Sequence, residues 1–199
     1  SWDDDTELVV DGPTTFPVGR RDFLKLTSTG LVVLMAVDPV HGLQEAARPQ
    51  AGRQGPPADV NAYLHIGADN RVTCFVGKVE LGQGSMTSLA QLLAEELDVP
   101  LTSVDIVMGD TDVCPWDMGT FGSLSIRSFG PVLRNAGAEA RAVLLLLASE
   151  RLQVPIDTLV IKAGAVSVAT DASKKVTYGQ LTEGKRIERK LEQKATVKP

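Results

Sequence analysis

The chain has 199 residues, 43% hydrophobic and 23% charged, enough for one modest globular domain with an appendage. A formal net charge of −5 and an aromatic content of 5% supply neither the basic surplus nor the stacking platforms of a nucleic-acid binder. No apolar run reaches the ~18 residues of a membrane span.

The first informative element is Arg20-Arg21-Asp22-Phe23-Leu24-Lys25, followed by an apolar run over 26–37. This is the pattern of a twin-arginine export signal, a receptor-read address rather than an anchor. It predicts a periplasmic protein, or one on the outer face of the cytoplasmic membrane. The start is unusually acidic, with Asp3, Asp4, Asp5, Glu7 and Asp11, and the candidate cleavage points are Ala46-Ala47 and Ala51. Residues 41–58 are rich in Pro, Gly, Gln and Ala and read as a linker. The expected organisation is a signal region and linker over 1–58, an α+β domain over 59–170 and a basic connector over 171–199.

Order is expected from about Val60. Residues 62–66 alternate as a strand, Gly67-Ala68-Asp69-Asn70 turns, and 71–76 alternate again with Val72, Cys74 and Val76 on one face, predicting a hairpin. Met86, Leu89, Ala90, Leu93, Ala94 and Leu97 form the apolar stripe of a helix over 85–97, with Ser85 as its cap and Pro100 as the breaker behind it. A half-buried strand follows at 104–108. A second helix is predicted over 132–152, then a hairpin from 159–162 and 165–169, and a short element at 176–179. The order β-β-α-β-loop-α-β-β is a mixed α+β fold. Cys74 and Cys114 form no CxxC and read as reduced thiols, with a disulfide left open for an exported protein. His41 and His65 are isolated, so no protein-ligated metal site is visible.

Chemistry concentrates in two glycine-rich stretches. The first is Glu80-Leu81-Gly82-Gln83-Gly84-Ser85, joining a strand-like run to the helix over 85–97. The second, Gly119-Thr120-Phe121-Gly122-Ser123-Leu124-Ser125-Ile126-Arg127-Ser128-Phe129-Gly130, also leads into a helix. Glycines let a ligand approach the main chain, and a helix start offers unpaired N–H groups to an anion. Facing one another, the two stretches could wrap a polar, anionic ligand. Gln83 would supply an amide, Thr120, Ser123 and Ser125 hydroxyls, and Arg127 a phosphate-pairing fork. The dinucleotide fingerprint fails for want of a third glycine and a downstream acid, and no P-loop is present.

Val79-Glu80-Leu81-Gly82-Gln83-Gly84 with Leu89-Ala90-Gln91 and Ala94-Glu95-Glu96-Leu97, then Gly109-Asp110-Thr111-Asp112, then the run from Gly119 to Ser125, closely resembles the molybdopterin-binding subunit of the xanthine dehydrogenase family. The nearest branch is the exported one typified by the beta subunit of isoquinoline 1-oxidoreductase. The resemblance implies molybdopterin, alone or as its cytosine dinucleotide, with molybdenum. It implies contacts from Gly82, Gln83, Gly84, Thr120, Phe121, Gly122, Ser123 and Ser125. Phe121 stands where many members carry a smaller residue. The implied reaction is oxidation of an aldehyde or an N-heteroaromatic compound, with water as oxygen source. The implied partners are the remainder of the large subunit, a [2Fe–2S] small subunit and a cytochrome c. The family's general-base glutamate and its glycine-phenylalanine-glycine loop are not in these residues. The chain therefore reads as a cofactor-binding part without an assigned catalytic residue. The competing reading is an exported, non-enzymatic α+β binding module whose glycine turns are structural. Asp110 and Asp112 read as loop caps, and Trp116 and Met118 as packing of a long loop.

Overall fold

A computed structural model describes residues 30–35, 62–115, 117, 119–183, 186–190 and 195–199. Arg20, Arg21, the linker over 41–58, Trp116 and Met118 lie outside the described residues.

Five strands form the main sheet in the order β4-β3-β2-β1-β8: β1 Gly30–Met35, β2 Ala62–Ile66, β3 Val72–Val76, β4 Val104–Val107 and β8 Arg186–Lys190. The expected hairpin is β2 and β3, antiparallel, with Leu64 opposite Cys74. Its turn places Asn70 at a φ of 65°, a left-handed position that asparagine tolerates. Val72, Cys74 and Val76 are fully buried as the alternation predicts, and Phe75 is buried as well. β3 runs through the first glycine stretch into helix α1, Ser85–Leu97, which returns to β4 parallel to β3. The apolar stripe of α1 is buried at Leu89, Ala90, Leu93 and Leu97.

A short helix α2, Leu124–Arg127, leads into the long helix α3, Phe129–Leu152. The latter starts a turn before the predicted 132. Pro131 falls in its first turn, where a missing N–H costs nothing. α3 crosses α1 closely: a Cβ at Gly137 would lie 3.0 Å from Glu96 Cγ, so glycine sets the approach. A second, three-stranded antiparallel sheet comprises β5 Leu159–Lys162, β6 Ala165–Val168 and β7 Asp171–Thr177. It is followed by the short helix α4, Tyr178–Thr182, started by a capping box between Thr177 and Gln180. The buried Tyr178 hydroxyl donates to Leu97 O at 2.7 Å and ties α4 to the end of α1. The architecture is α+β, as expected.

Three boundaries differ from the sequence reading. Order does not begin near Val60: β1 forms from residues assigned to the signal region and pairs antiparallel with β2 and parallel with β8. β7 lies where a connector was expected from 171 onward. Its Ser173, Lys174 and Lys175 are exposed on an edge strand, so periodicity gave no signal. Nor is the basic segment over 184–199 wholly a connector, since β8 belongs to the main sheet and 195–199 is docked on α1 and α3. There the carboxylate of Glu96, fully buried, pairs with Arg134 at 3.3 Å and Arg141 at 3.0 Å. It also accepts the backbone N–H of Lys198 at 3.1 Å.

Cys74 and Cys114 are both free, and burial above all pushes the Cys74 thiol well up from its ordinary value. The Cys114 thiol donates to Val107 O at 3.3 Å.

Candidate functional site

The two glycine stretches are brought side by side, as their shared character suggested. The joint is a buried ion pair: Lys78 Nζ donates to Asp117 Oδ1 at 2.7 Å and to Gly119 O at 2.8 Å. One residue on, the Val79 N–H donates to Thr120 Oγ1 at 2.7 Å. Asp117 also accepts from Gly119 N at 2.8 Å, which shapes the entry to the second stretch. The approach leaves no room for a side chain at Gly77, where a Cβ would lie 2.4 Å from Asp117 Cβ and 2.6 Å from Pro115 O. Lys78 and Asp117 were missed in the sequence. The only signal was a lysine closing an apolar run, which reads equally as a strand end.

Within the first stretch, the expected anion is already present, and it is a side chain. The Glu80 carboxylate accepts from Gly82 N and Gly84 N at 2.8 Å each, from Met86 N at 2.9 Å and from Ser85 Oγ at 3.0 Å. Hydrogen bonds from Met86 and Gly84, chiefly, hold its pKa down at about 2. Glu80 thus caps α1, and the expected cap by Ser85 is not made. The cap position is Gly84, with a φ of 74°, and the Ser85 hydroxyl serves Glu80 instead. Gln83 is folded into the same turn. Its Oε1 accepts from Leu81 N at 2.6 Å, while its Nε2 donates to Val79 O at 2.7 Å and to Ser85 Oγ at 3.2 Å.

The second stretch is more open to a ligand. Gly122 and Ser123 are consecutive left-handed residues, with φ of 59° and 58°, and Ser123 makes no cap with its side chain. Thr120 is engaged by Val79, Ser125 is buried at the start of α2, and Phe121 is 47% exposed. Arg127 turns back on its own loop, 3.5 Å from Gly122 O. Beside it, a Cβ at Gly82 or Gly84 would meet nothing within 4 Å, so the main chain of the first turn is open to a close-fitting partner. Leu81, 85% exposed, leaves an apolar face on the same turn.

These residues fit a polar, multiply hydrogen-bonded cofactor such as a pterin as one wall of a pocket. Open glycine surface and the Ser123 hydroxyl face outward, and the turn is formed in advance by Glu80. They do not offer Gly82 N and Gly84 N to a phosphate, because displacing so acidic a carboxylate would be required. Among the described residues, no group of three or more His, Cys, Asp or Glu side chains could hold a metal ion.

Residues 25–198 match the family model of the molybdopterin cofactor-binding domain. The chain is 31% identical over 179 residues to one of the subunits of nicotinate dehydrogenase from Pseudomonas putida, covering 90% of this chain and 15% of that protein. It is 33% identical over 184 residues to the beta subunit of isoquinoline 1-oxidoreductase from Brevundimonas diminuta, covering 88% of this chain and 23% of that one. Among solved structures, it is similar to CO dehydrogenase from Oligotropha carboxidovorans, with a TM-score of 0.53 and 29% identity over 60% of this chain and 15% of that chain. The chain thus spans less than a quarter of the length of these relatives.

Proposed function

The chain belongs to the molybdopterin cofactor-binding domain family, and from that premise we propose that it is the cofactor-binding wall of a molybdenum hydroxylase large subunit. The observation that carries the reading is the joining of the two glycine stretches through Lys78, Asp117 and Thr120. That joint brings together two glycine- and hydroxyl-bearing segments that lie far apart in sequence. A lone structural turn would need no such partner.

Molybdopterin, in its plain or cytosine dinucleotide form, supplies the redox chemistry when bound, holding the molybdenum at which substrate is oxidised. Gln83, Gly122 and Ser123 would line it. Glu80 holds the first turn in shape and keeps its charge there across the physiological range, and Lys78 fixes the distance between the two loops. No residue of this chain is assigned as acid or base, and that work falls to the remainder of the large subunit. The relatives' names, nicotinate dehydrogenase and isoquinoline 1-oxidoreductase, support an N-heteroaromatic substrate, with an aldehyde as the alternative. The electron path runs through a [2Fe–2S] subunit, with a cytochrome c as the later acceptor. The twin-arginine pattern supports export to the periplasmic side.

The test is metal and pterin analysis of the purified complex that contains this chain. Stoichiometric molybdenum and pterin fluorescence after denaturation are expected. Their absence from folded complex, made in a host competent to synthesise the cofactor, overturns the reading.

A further inference from the structure

The apolar half of the export-like segment supplies a strand of the main sheet. By sequence, 26–37 is the apolar region of a signal, and a cut near Ala46-Ala47 or Ala51 would remove it. In the structure, Gly30–Met35 is an interior strand with a neighbour on each edge. Five residues pair with β2, from Leu31 opposite Ile66 to Met35 opposite Ala62. Five pair with β8, from Gly30 opposite Arg186 to Leu34 opposite Lys190. Leu31, Val33 and Met35 are fully buried in the main core, among the residues of β2, α1 and α3. The entry to the strand is fitted too: Gly30 has a φ of 116°, and a Cβ there would lie 2.6 Å from His65 Nε2 and 2.7 Å from Ile66 O. The family match also begins ahead of this strand, at residue 25.

We infer that Gly30–Met35 is a permanent strand of the folded domain, so that any proteolytic maturation of this chain cuts ahead of Gly30 and not behind Met35. A cut behind Met35 would take away the strand that joins β2 to β8. β8 would lose its only strand partner among the described residues, and β2 would be left with an open edge in place of ladder hydrogen bonds. The apolar core contributed by Leu31, Val33 and Met35 would go with it. The sheet also constrains recognition. A strand bonded on both edges cannot at the same time be held by an export receptor. In folded cargo, the address is therefore confined to residues ahead of Gly30, where Arg20 and Arg21 stand. The inference extends the export part of the proposed function, but the strand itself depends only on the sheet.

The experiment uses the full subunit, expressed with its partner subunits and cofactor supply in a bacterium with twin-arginine export. Folded complex is recovered separately from periplasm and cytoplasm, and intact mass and N-terminal peptides locate its first residue. A folded subunit that retains 30–35, whatever lies before Gly30, is expected. A folded, cofactor-loaded subunit beginning after Met35 would overturn the inference. Hydrogen exchange on the same complex is the second readout. The amides of 31–35 should exchange as slowly as those of β2, and exchange at the rate of a free peptide would also overturn it. Compartment is a separate result: folded complex confined to the cytoplasm, with 30–35 retained, refutes export while upholding the strand.

Discussion

Lys78 and Asp117, 39 residues apart in sequence, meet at 2.7 Å in an ion pair that is nearly closed to solvent on both sides. Together with the Val79–Thr120 hydrogen bond, the pair joins the two loops of the candidate site. Removing one partner strands the other charge in a buried place. Lys78→Met should therefore cost about 3–5 kcal/mol of stability. It should also lower molybdenum content in the variant complex that still folds. Denaturant unfolding and metal analysis, run on the same preparations, check both effects. An unchanged unfolding midpoint would mean that the pair does not hold the loops.

Glu80 ties pH to the shape of the first turn. Its pKa is held at about 2 in the folded protein, below the usual glutamate value of about 4.3. A depressed pKa contributes stability above the unfolded value, and that contribution is lost as pH falls toward the folded one. Glu80→Gln should thus be less stable than the natural protein at neutral pH. The gap between them should narrow as pH drops from about 5 to about 2. Unfolding curves across that range decide it, and a gap that stays constant with pH would show that the carboxylate charge is not what the amides recognise.

Gln83 bridges its own turn through three hydrogen bonds. Gln83→Ala removes all three, at about 1 kcal/mol each for those that matter to stability. The variant complex should carry clearly less molybdenum and pterin than the natural one while remaining folded. Normal cofactor content in Gln83→Ala would remove Gln83 from the cofactor wall.

Glu96 and Lys198 offer a contrast between buried and exposed charge. Glu96 is fully buried and serves Arg134, Arg141 and the Lys198 backbone. The Lys198 ammonium pairs with Asp98 at 2.6 Å where both side chains are partly open to water. Glu96→Ala should cost about 3–5 kcal/mol, whereas Lys198→Ala should cost at most about 1 kcal/mol. Equal losses in thermal or denaturant unfolding would contradict the account of how 195–199 is docked.

Much of this fold was legible in the chain. β2, β3 and α1 appear at the predicted residues, because an alternating core face at Val72, Cys74 and Val76 and a continuous apolar stripe each point to one periodicity. The two glycine stretches were also visible as a pair, since small residues ahead of helix starts leave a recognisable pattern. β7 and β8 were not legible. On β7 the edge position leaves Ala172, Ser173, Lys174 and Lys175 exposed, and β8 is written Arg186-Ile187-Glu188-Arg189-Lys190, so neither run carries an apolar period and both read as a connector.

The α+β class, the helix and hairpin that frame the site, and the family to which the motifs point could all be read along the chain. These depend on local periodicity and on short runs of residue types. Three relationships emerged only in the folded chain. Glu80, rather than a ligand, takes the amides of Gly82 and Gly84. Lys78 meets Asp117. Gly30–Met35 joins the sheet between β2 and β8. The physical reason is common to all three: hydrogen bonds and ion pairs are specified by where backbone groups end up in space. An apolar run reads the same whether it serves a signal or a strand until a sheet edge is there to receive it.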